Sequence, residues 1–297
     1  MPPSTEQDLD VTVVLPAFNE VGHIRAEVDR ITAAMKNSRY TFEILVVDDG
    51  SSDGTAEAVE GLPFVRLLRF PVNRGSGTAR RLGTAQARGR WVAWTDADMT
   101  YPNERIPEFV DALAEGRAHQ VVGARGSEEG TMKVLRVPAK WAIRRLAEYL
   151  AQTKIPDLNS GLRVFSREQA RPYLGLLPSG FSCVTTITLA FLANGLIVEY
   201  IPIDYQQRAG RSHFHPIKDA YRYILQVVRM ITFFEPLRVF GPIALLLLTL
   251  GGGKFVYDMV TNPFRLTSNT LLLLVTGLTL FSLGLLADLI VRINRRD

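Results

Sequence analysis

Two long apolar stretches near the C-terminus constrain the fold of this 297-residue chain more than any other feature. They cover residues 239–260 and 270–293, and the polar sequence TNPFRLTSN joins them. Each stretch has about the length that an α-helix needs to cross a bilayer. We therefore expect a transmembrane region over residues 238–297, built as a two-helix hairpin. A pair of buried helices in a soluble core is the alternative, which the length and leucine content of both stretches disfavour.

Charged residues around this region predict its orientation. Only Arg265 lies in the connecting loop, whereas five arginines flank the outer ends of the stretches: Arg229, Arg238, Arg292, Arg295 and Arg296. Because basic residues concentrate on the cytoplasmic side of membrane proteins, we expect a multi-pass protein of the cell membrane with both termini in the cytoplasm. The N-terminal sequence MPPSTEQDLD lacks the basic start and apolar core of a secretory signal. Lys254 and Asp258 interrupt the first stretch one helical turn apart, near the far interface.

Before the hairpin, short β-rich runs alternate with segments of helical length. The predicted strands are VTVVLP, FEILVV, FVRLLRF, WVAWT and QVVGA, and the predicted helices cover residues 20–36, 53–60, 76–88 and 103–115. Strands that are apolar on both faces and precede helices indicate an α/β fold, with a mainly parallel sheet and helices on both faces. We expect this domain to span residues 1–214 and an amphipathic juxtamembrane helix to span residues 215–237. Ligands of such sheets bind at the carboxyl ends of the strands.

The charge and the cysteine content limit the classes of partner and of covalent chemistry. The formal net charge is +4 and the sequence pI is about 9.3, which favours an anionic partner such as a nucleic acid, a lipid headgroup or a phosphorylated small molecule. Charge alone does not choose among these three. Cys183 is the only cysteine, so the chain has no intrachain disulfide, and we expect this residue to be buried as a small apolar side chain.

Two aspartates, Asp96 and Asp98, follow the predicted strand WVAWT and are separated by Ala97. Alternate residues at a strand end project to the same side, a geometry that suits a hard divalent cation. Mg²⁺ and Mn²⁺ commonly take one or two protein carboxylates and complete their shell with water and phosphate oxygens. The pair therefore indicates a metal-bridged diphosphate, although a solvated D-x-D loop is an equally common interpretation of this motif alone.

Two glycine-containing stretches follow other predicted strands. VVDDGSSDGT, residues 46–55, places two carboxylates at a strand end, which suits contacts with a base or ribose but also an ordinary turn. NRGSGTARRLG, residues 73–83, lacks the position and the third glycine of a dinucleotide fingerprint, and leaves open a loop whose backbone approaches a diphosphate. Three such strand ends on one sheet edge indicate a ligand site more strongly than any one of them alone.

Taken in order, these motifs resemble those of family 2 glycosyltransferases, and most of all the polyprenyl-phosphate sugar transferases of the dolichol-phosphate mannose synthase type. The stretches that carry the resemblance lie within residues 11–235 and are VVLPAFNE, VVDDGSSDGT, NRGSGTARRLG, TDADMTYP, DLNSGLRVFSR and RAGRSH. The resemblance implies a Rossmann-like GT-A catalytic domain. It also implies an inverting transfer of a hexose from a UDP- or GDP-sugar to polyprenyl (dolichyl or undecaprenyl) phosphate at a membrane. The implied cofactor is Mg²⁺ or Mn²⁺, and no nucleic-acid partner is expected.

The resemblance also implies roles for individual residues. The nucleotide would contact Pro16, Phe18, Glu20, Asp48, Asp49 and Ala97. The catalytic set would be Asp96, Asp98, Arg125 and Arg208, of which the two aspartates would hold the metal. The lipid phosphate would contact Ser160, Arg163, Arg208, Ser212 and His213. The chain departs from the family pattern at Thr100, where glutamine is usual, at His213, where lysine is usual, and in the spacing of Arg208 from Gly210; the sugar is therefore not assigned.

A missing acid indicates the acceptor. Family members that glycosylate hydroxyl groups usually carry a carboxylate base in the helix corresponding to FSCVTTITLAFLANG, which has Thr185 and Thr186 but no acid. A hydroxyl acceptor needs such a base near neutral pH, whereas a phosphate monoester, with a second pKa of about 6, already carries an anionic oxygen. A lipid phosphate is thus favoured. A saccharide or protein hydroxyl acceptor, and a non-catalytic nucleotide- or lipid-binding scaffold, are the alternatives.

A basic segment at residues 131–150 places four cationic side chains at helical spacing: Lys133, Arg136, Lys140 and Arg144. This pattern is typical of an interfacial helix that attracts an anionic lipid headgroup. It is equally typical of a solvated basic face.

Overall fold

The computed structural model of the chain describes residues 9–126, 145, 148–149, 152–180, 182–206, 225, 228–229, 232–261 and 265–294. The chain divides into two compact units, Met1–Tyr223 and Ile224–Asp297. The predicted domain boundaries at residues 214 and 238 stay predictions, and most of the predicted juxtamembrane helix over residues 215–237 lies outside the described residues.

The first unit is built around a seven-stranded sheet with the strand order β3-β2-β1-β4-β6-β5-β7. The strands are β1 (Val11–Ala17), β2 (Phe42–Asp48), β3 (Val65–Arg69), β4 (Trp91–Trp94), β5 (Gln120–Arg125), β6 (Arg163–Ser166) and β7 (Val198–Ile203). All neighbouring strands are parallel except that β6 runs antiparallel to both β4 and β5. The prediction of a mainly parallel sheet is confirmed, and β6 and β7 are additions to the five predicted strands.

Helices cover both faces of this sheet, as predicted. The described helices of the first unit are α1 (Ile24–Lys36), α2 (Ser76–Gln86), α3 (Ile106–Ala114), α4 (Arg167–Ala170) and α5 (Cys183–Ala193), and 3₁₀ turns cover Asn103–Arg105 and Arg171–Leu176. Alternate strand residues pack against opposite helices, because successive side chains of a strand point to opposite faces. Val13 and Leu15 join the core formed with α1 and α3, whereas Val14 joins the core formed with α2 and α5.

The helix predicted over residues 53–60 is wrong, because this segment forms successive turns. Gly54 has a φ of 92°, which is outside the helical range. The Asp53 carboxylate also accepts a hydrogen bond from the Thr55 backbone N–H at 3.0 Å. Such a local side-chain bond competes with helical hydrogen bonding, so the segment bends instead.

The second unit contains two long apolar helices, α6 (Pro236–Thr261) and α7 (Ser268–Asn294). The candidate spans within them have mean hydropathies of 1.8 and 2.2, and only 11% and 17% of these stretches are buried. Helices of a soluble core would be mostly buried, so the low burial disfavours the soluble-core alternative. The two helices pack against each other, as the predicted two-helix hairpin requires. Glycines allow the two helices to approach closely: a Cβ on Gly251 would lie 2.9 Å from Leu274, and one on Gly277 would lie 2.9 Å from Leu248.

Asp258 links the two helices at the connecting loop. Its Oδ1 atom lies 3.2 Å from Lys254 Nζ. Its Oδ2 atom accepts hydrogen bonds from the Thr267 backbone N–H at 3.2 Å, the Thr267 hydroxyl at 2.9 Å and the Thr270 hydroxyl at 2.5 Å. Asp258 therefore satisfies polar groups at the start of α7, which explains a charged pair at the end of an otherwise apolar stretch.

Candidate active site

The predicted motifs that follow β1, β2 and β4 meet at one edge of the sheet. β2, β1 and β4 are adjacent and parallel, so their carboxyl ends lie side by side. The segments that follow β1 and β2 are joined directly: the Asp49 backbone N–H donates to the Ala17 carbonyl at 2.8 Å, and the Glu20 backbone N–H donates to the Thr55 hydroxyl at 2.8 Å. The loop that carries Asp96 and Asp98 follows β4 at the same edge.

Asp49 holds in place the short loop of residues 73–75 before α2, which we call the glycine-rich loop. Its carboxylate oxygens accept hydrogen bonds from the backbone N–H groups of Arg74, at 2.7 Å, and Gly75, at 2.8 Å. Gly75 has a φ of 91°, and a Cβ there would lie 2.3 Å from the Ser179 carbonyl oxygen, so only glycine fits this position. The buried Asp49 side chain thereby couples the end of β2 to the start of α2.

The other predicted nucleotide contacts divide into buried and accessible groups. Pro16, Asp48 and Ala97 are buried at the strand ends. The Phe18 side chain is 45% exposed, which leaves its ring available for stacking. The Glu20 carboxylate lies 3.2 Å from His23 Nδ1. The structure brings these residues to one edge, and their contact with a nucleotide stays a prediction.

Asp96 forms an ion pair with Arg80, a residue of α2 to which the sequence analysis assigned no role. The Arg80 side chain is 1% exposed, whereas that of Asp96 is 31% exposed. The guanidinium also lies over the Trp94 ring, 5.9 Å from its centroid. The only sequence signal for this contact was an arginine among the small residues of NRGSGTARRLG, at a position where a helix faces the sheet.

Gly161 borders the other side of the Asp96 carboxylate. A Cβ on Gly161 would lie 2.7 Å from Asp96 Oδ2. The Gly161 backbone N–H donates to the Tyr101 hydroxyl at 2.7 Å, which fixes this approach. Burial, followed by the nearby charge of Asp96, raises the pKa of Tyr101 above its ordinary value, so the phenol stays neutral.

Asp98 is supported by Thr100, the residue that departs from the family pattern. The Thr100 hydroxyl donates to Asp98 Oδ1 at 2.6 Å, and its backbone N–H donates to the same atom at 3.3 Å. Thr100 thus orients the second aspartate.

A buried network supports the same loop from α1. Asn103 Nδ2 donates to the buried Glu27 carboxylate at 2.6 Å, and the Thr95 hydroxyl donates to Asn103 Oδ1 at 2.6 Å. Arg30 Nη2 bonds Glu27 at 2.8 Å and the Tyr101 carbonyl at 2.5 Å. Burial raises the pKa of Glu27, which the bonds from Asn103 and Arg30 partly offset. The loop of residues 95–102 that carries Asp96 and Asp98, which we call the aspartate loop, is therefore anchored at both ends.

Arg125, predicted to contact phosphate oxygens, forms a bidentate pair with Asp157. The Nε–Oδ2 distance is 2.6 Å and the Nη2–Oδ1 distance is 3.0 Å, and the side chains are 11% and 10% exposed. Burial opposes ionisation of Asp157, but the hydrogen bonds and charge of Arg125 outweigh it, so the pKa of Asp157 lies below its ordinary value. Asp157 is the first residue of the motif DLNSGLRVFSR, and no role was predicted for it.

Ser160 and Arg163, two predicted lipid-phosphate contacts, are fully buried. Arg163 donates to the Thr188 hydroxyl at 2.6 Å and also to the backbone carbonyls of Ser160 and Val184. Burial lowers the pKa of Arg163 to about 10, which leaves it protonated at neutral pH. As placed, both side chains pack inside the domain, and their contact with a lipid phosphate stays a prediction.

Other predicted residues lie outside the described part of the chain. These are Arg208, Ser212 and His213, together with the basic side chains Lys133, Arg136, Lys140 and Arg144. On α5, the Thr185 hydroxyl donates to Asn159 at 2.9 Å and the Thr186 hydroxyl donates to the Ser182 carbonyl at 2.9 Å. The helix carries no carboxylate, in agreement with the sequence. Cys183 is buried, as predicted.

The aspartate pair fits a cation that takes few protein ligands. Among the described residues, no group of three or more histidine, cysteine, aspartate or glutamate side chains could hold a metal ion. Mg²⁺ and Mn²⁺ need only one or two carboxylates when phosphate and water complete the shell. The accessible carboxylate of Asp96 and the oriented carboxylate of Asp98 meet this requirement.

Comparison with known families identifies the chain. The model of the family described as "Glycosyl transferase family 2" matches residues 12–173. The chain belongs to this family. A second model, described as "GtrB C-terminal hairpin", matches residues 235–293 and coincides with α6 and α7. This glycosyltransferase is therefore a membrane-associated enzyme.

Curated relatives and solved structures agree with this assignment. The glycosyltransferase is 26% identical to the dodecaprenyl-phosphate galacturonate synthase of Rhizobium johnstonii, over 98% of this chain and 90% of the relative. It is 30% identical to the dolichyl-phosphate hexose transferase of Haloferax volcanii, over 70% of this chain and 87% of the relative. The fold is also similar to a crystal structure of the glucosyl-3-phosphoglycerate synthase of Mycobacterium tuberculosis in complex with Mn²⁺, UDP-glucose and phosphoglyceric acid. The TM-score is 0.57 and the sequence identity is 21%, and the match covers 75% of this chain and 79% of the synthase chain. The predicted GT-A fold is confirmed.

Proposed function

We propose that this glycosyltransferase moves a hexose from a nucleotide sugar, UDP- or GDP-linked, to a polyprenyl phosphate, with inversion at the anomeric carbon. The observation that carries this proposal is the near full-length similarity to a dodecaprenyl-phosphate galacturonate synthase, which includes the hairpin as well as the α/β domain. The dolichyl-phosphate hexose transferase supports the same class of acceptor. The product would be a lipid-phosphate sugar.

The donor would bind across the carboxyl ends of β1, β2 and β4. The exposed Phe18 ring offers a stacking surface for the base, and Asp49 fixes the glycine-rich loop beside it. Asp96 and Asp98 would hold Mg²⁺ or Mn²⁺, which when bound neutralises the negative charge of a departing nucleoside diphosphate. The chain contributes two oriented carboxylates for this purpose, each held by a neighbouring side chain.

The acceptor oxygen would not need a general base to remove a proton before it attacks. The α5 helix presents Thr185 and Thr186 and no carboxylate, so it supplies no general base. A phosphate monoester is already anionic at neutral pH, because its second pKa is about 6. The phosphate would therefore act directly as the nucleophile, and Arg125 and Arg208 would help to position the phosphorylated substrates.

We also propose a membrane topology from the flanking charges. Arginines concentrate outside the hairpin, and Arg265 alone lies in the connecting loop. This distribution supports cytoplasmic termini and an active site that takes both substrates from the cytoplasmic side.

A transfer assay on the full chain in nanodiscs tests the proposal. The chain is incubated with labelled UDP- and GDP-hexoses, Mn²⁺, and polyprenyl phosphate, an oligosaccharide or a peptide as acceptor. We expect label in an acid-labile lipid product and none in the other two acceptors. Transfer to the oligosaccharide or peptide would support a hydroxyl acceptor instead. Metal-dependent nucleotide binding without transfer or hydrolysis would support a non-catalytic scaffold.

A further inference from the structure

We propose that Arg80 is a positioning residue that fixes the Asp96 carboxylate and thereby sets the affinity of the aspartate pair for a divalent cation. The proposal rests on the proposed function, because it assumes that Asp96 and Asp98 hold a metal. Arg80 itself would contact neither the metal nor a substrate.

Arg80 is a buried cation whose charge is paired with a single carboxylate among the described residues. Its side chain is 1% exposed, and within the described residues Asp96 is its ion-pair partner. Its Nε and Nη1 atoms are buried and have no hydrogen-bond partner among the described residues. A buried guanidinium with incomplete pairing costs stability, and an apolar side chain of similar size would often be more stable there. This cost suggests that Arg80 serves a purpose other than packing.

The contacts of Asp96 indicate what that purpose is. Arg80 bonds Asp96 Oδ1, while the backbone of Gly161 lies close to Oδ2. Gly161 is itself held by its N–H bond to the Tyr101 hydroxyl at 2.7 Å. The carboxylate is thus bonded on one side and closely bordered on the other, although it is 31% exposed. A ligand held in one orientation loses less conformational freedom when a metal binds.

Arg80 also connects two loops of the proposed donor site. It lies on α2, whose first turn follows the glycine-rich loop held by Asp49. Asp96 lies on the loop after β4. The Arg80–Asp96 pair therefore connects the glycine-rich loop and the aspartate loop through one partly buried contact. Outer contacts of this kind typically change metal affinity by 10–100-fold when they are removed.

The test compares Arg80→Lys with Arg81→Lys, a half-buried arginine on the same helix. Both full-length variants are placed in nanodiscs, and Mn²⁺ binding is measured by electron paramagnetic resonance in the presence of UDP or GDP, whichever raises the wild-type Tm more. We expect Arg80→Lys to raise the Kd for Mn²⁺ by about 10-fold or more and Arg81→Lys to change it by less than about twofold.

A double-mutant cycle separates positioning from packing. If Arg80 acts through Asp96, Arg80→Lys should have almost no further effect on Mn²⁺ affinity in an Asp96→Asn background. An unchanged Kd in Arg80→Lys, or the same fold-change in both backgrounds, would overturn the proposal. Arg80→Gln replaces Arg80→Lys if the latter does not fold, and failure of both to fold would assign Arg80 a structural role instead. Absence of Mn²⁺ binding by the wild type would contradict the proposed function rather than the role of Arg80.

Discussion

The Asp157 carboxylate accepts two hydrogen bonds from the Arg125 guanidinium, at 2.6 and 3.0 Å, and both side chains are almost completely buried. The pair joins the end of β5 to the loop before β6. Arg125 is the residue predicted to contact phosphate, and Asp157, for which no role was predicted, fixes the position of its guanidinium. The contribution of Asp157 to stability can be tested separately from catalysis.

Replacement of Asp157 should produce a pH-dependent loss of stability. The folded-state pKa of Asp157 lies below its ordinary value of about 4, so its ionised form stabilises the fold above that pH and this contribution is lost as pH falls through the folded pKa. We expect Asp157→Asn to lower the Tm at pH 7 by roughly 5–10 °C, with the difference from wild type shrinking at acidic pH. Asp29→Asn, which breaks an exposed pair with Arg25, is the control and should change Tm little. A difference that stays constant with pH would contradict the role of the Asp157 charge.

Asp98→Asn should abolish sugar transfer while leaving the fold intact. The substitution keeps the shape and the contact with Thr100 but removes the charge needed for a cation. Transfer rate and Tm of the full chain are measured side by side, and we expect a loss of at least about 100-fold in rate with little change in Tm. Near-normal turnover would rule out the proposed metal role of Asp98.

Gly161→Ala should impair the site through Asp96. The added Cβ would lie 2.7 Å from Asp96 Oδ2 and 3.1 Å from Tyr101 Cε2, so the carboxylate must move. We expect roughly a 10-fold or larger rise in the Mn²⁺ concentration needed for half-maximal transfer. Gly175→Ala is the matched control, because a Cβ there would meet nothing within 4 Å. An identical metal dependence in both variants would show that Asp96 tolerates displacement.

Asp258→Ala should destabilise the hairpin more than removal of the whole charged pair. The single variant removes the Asp258 carboxylate, which lies 3.2 Å from Lys254 Nζ and accepts three hydrogen bonds from Thr267 and Thr270. We expect a loss of about 2 kcal/mol, measured by unfolding in mixed micelles followed by circular dichroism. The double variant Lys254→Met/Asp258→Ala should be more stable than Asp258→Ala alone, since it leaves no unpaired cation. The opposite order would show that the ion pair is unimportant.

The sequence predicted the parts of this protein whose signal is local. β1 and β2 are fully buried and mainly apolar on both faces, and the hairpin helices are recognisable by length and composition. The positions of Asp96 and Asp98 followed from the end of a single strand.

The remaining features depend on contacts between distant parts of the chain. β6 is only four residues long and its antiparallel pairing with β4 and β5 has no local signature. Arg80 and Asp96 are 16 residues apart, and Arg125 and Asp157 are 32 residues apart, so only the tertiary fold brings each pair together. Residues 53–60 have the length and composition of a helix but form turns, because Gly54 has a positive φ and the Asp53 side chain bonds the backbone N–H of Thr55.

In the proposed reaction, an already anionic lipid phosphate replaces a general base. The most direct measurement compares polyprenyl phosphate with the corresponding polyprenol, which has a neutral hydroxyl, as acceptors for the full chain in nanodiscs with nucleotide sugar and Mn²⁺. We expect sugar transfer to the phosphate and none above background to the alcohol. Comparable transfer to the polyprenol would reveal a base in the site and would contradict the proposed reaction.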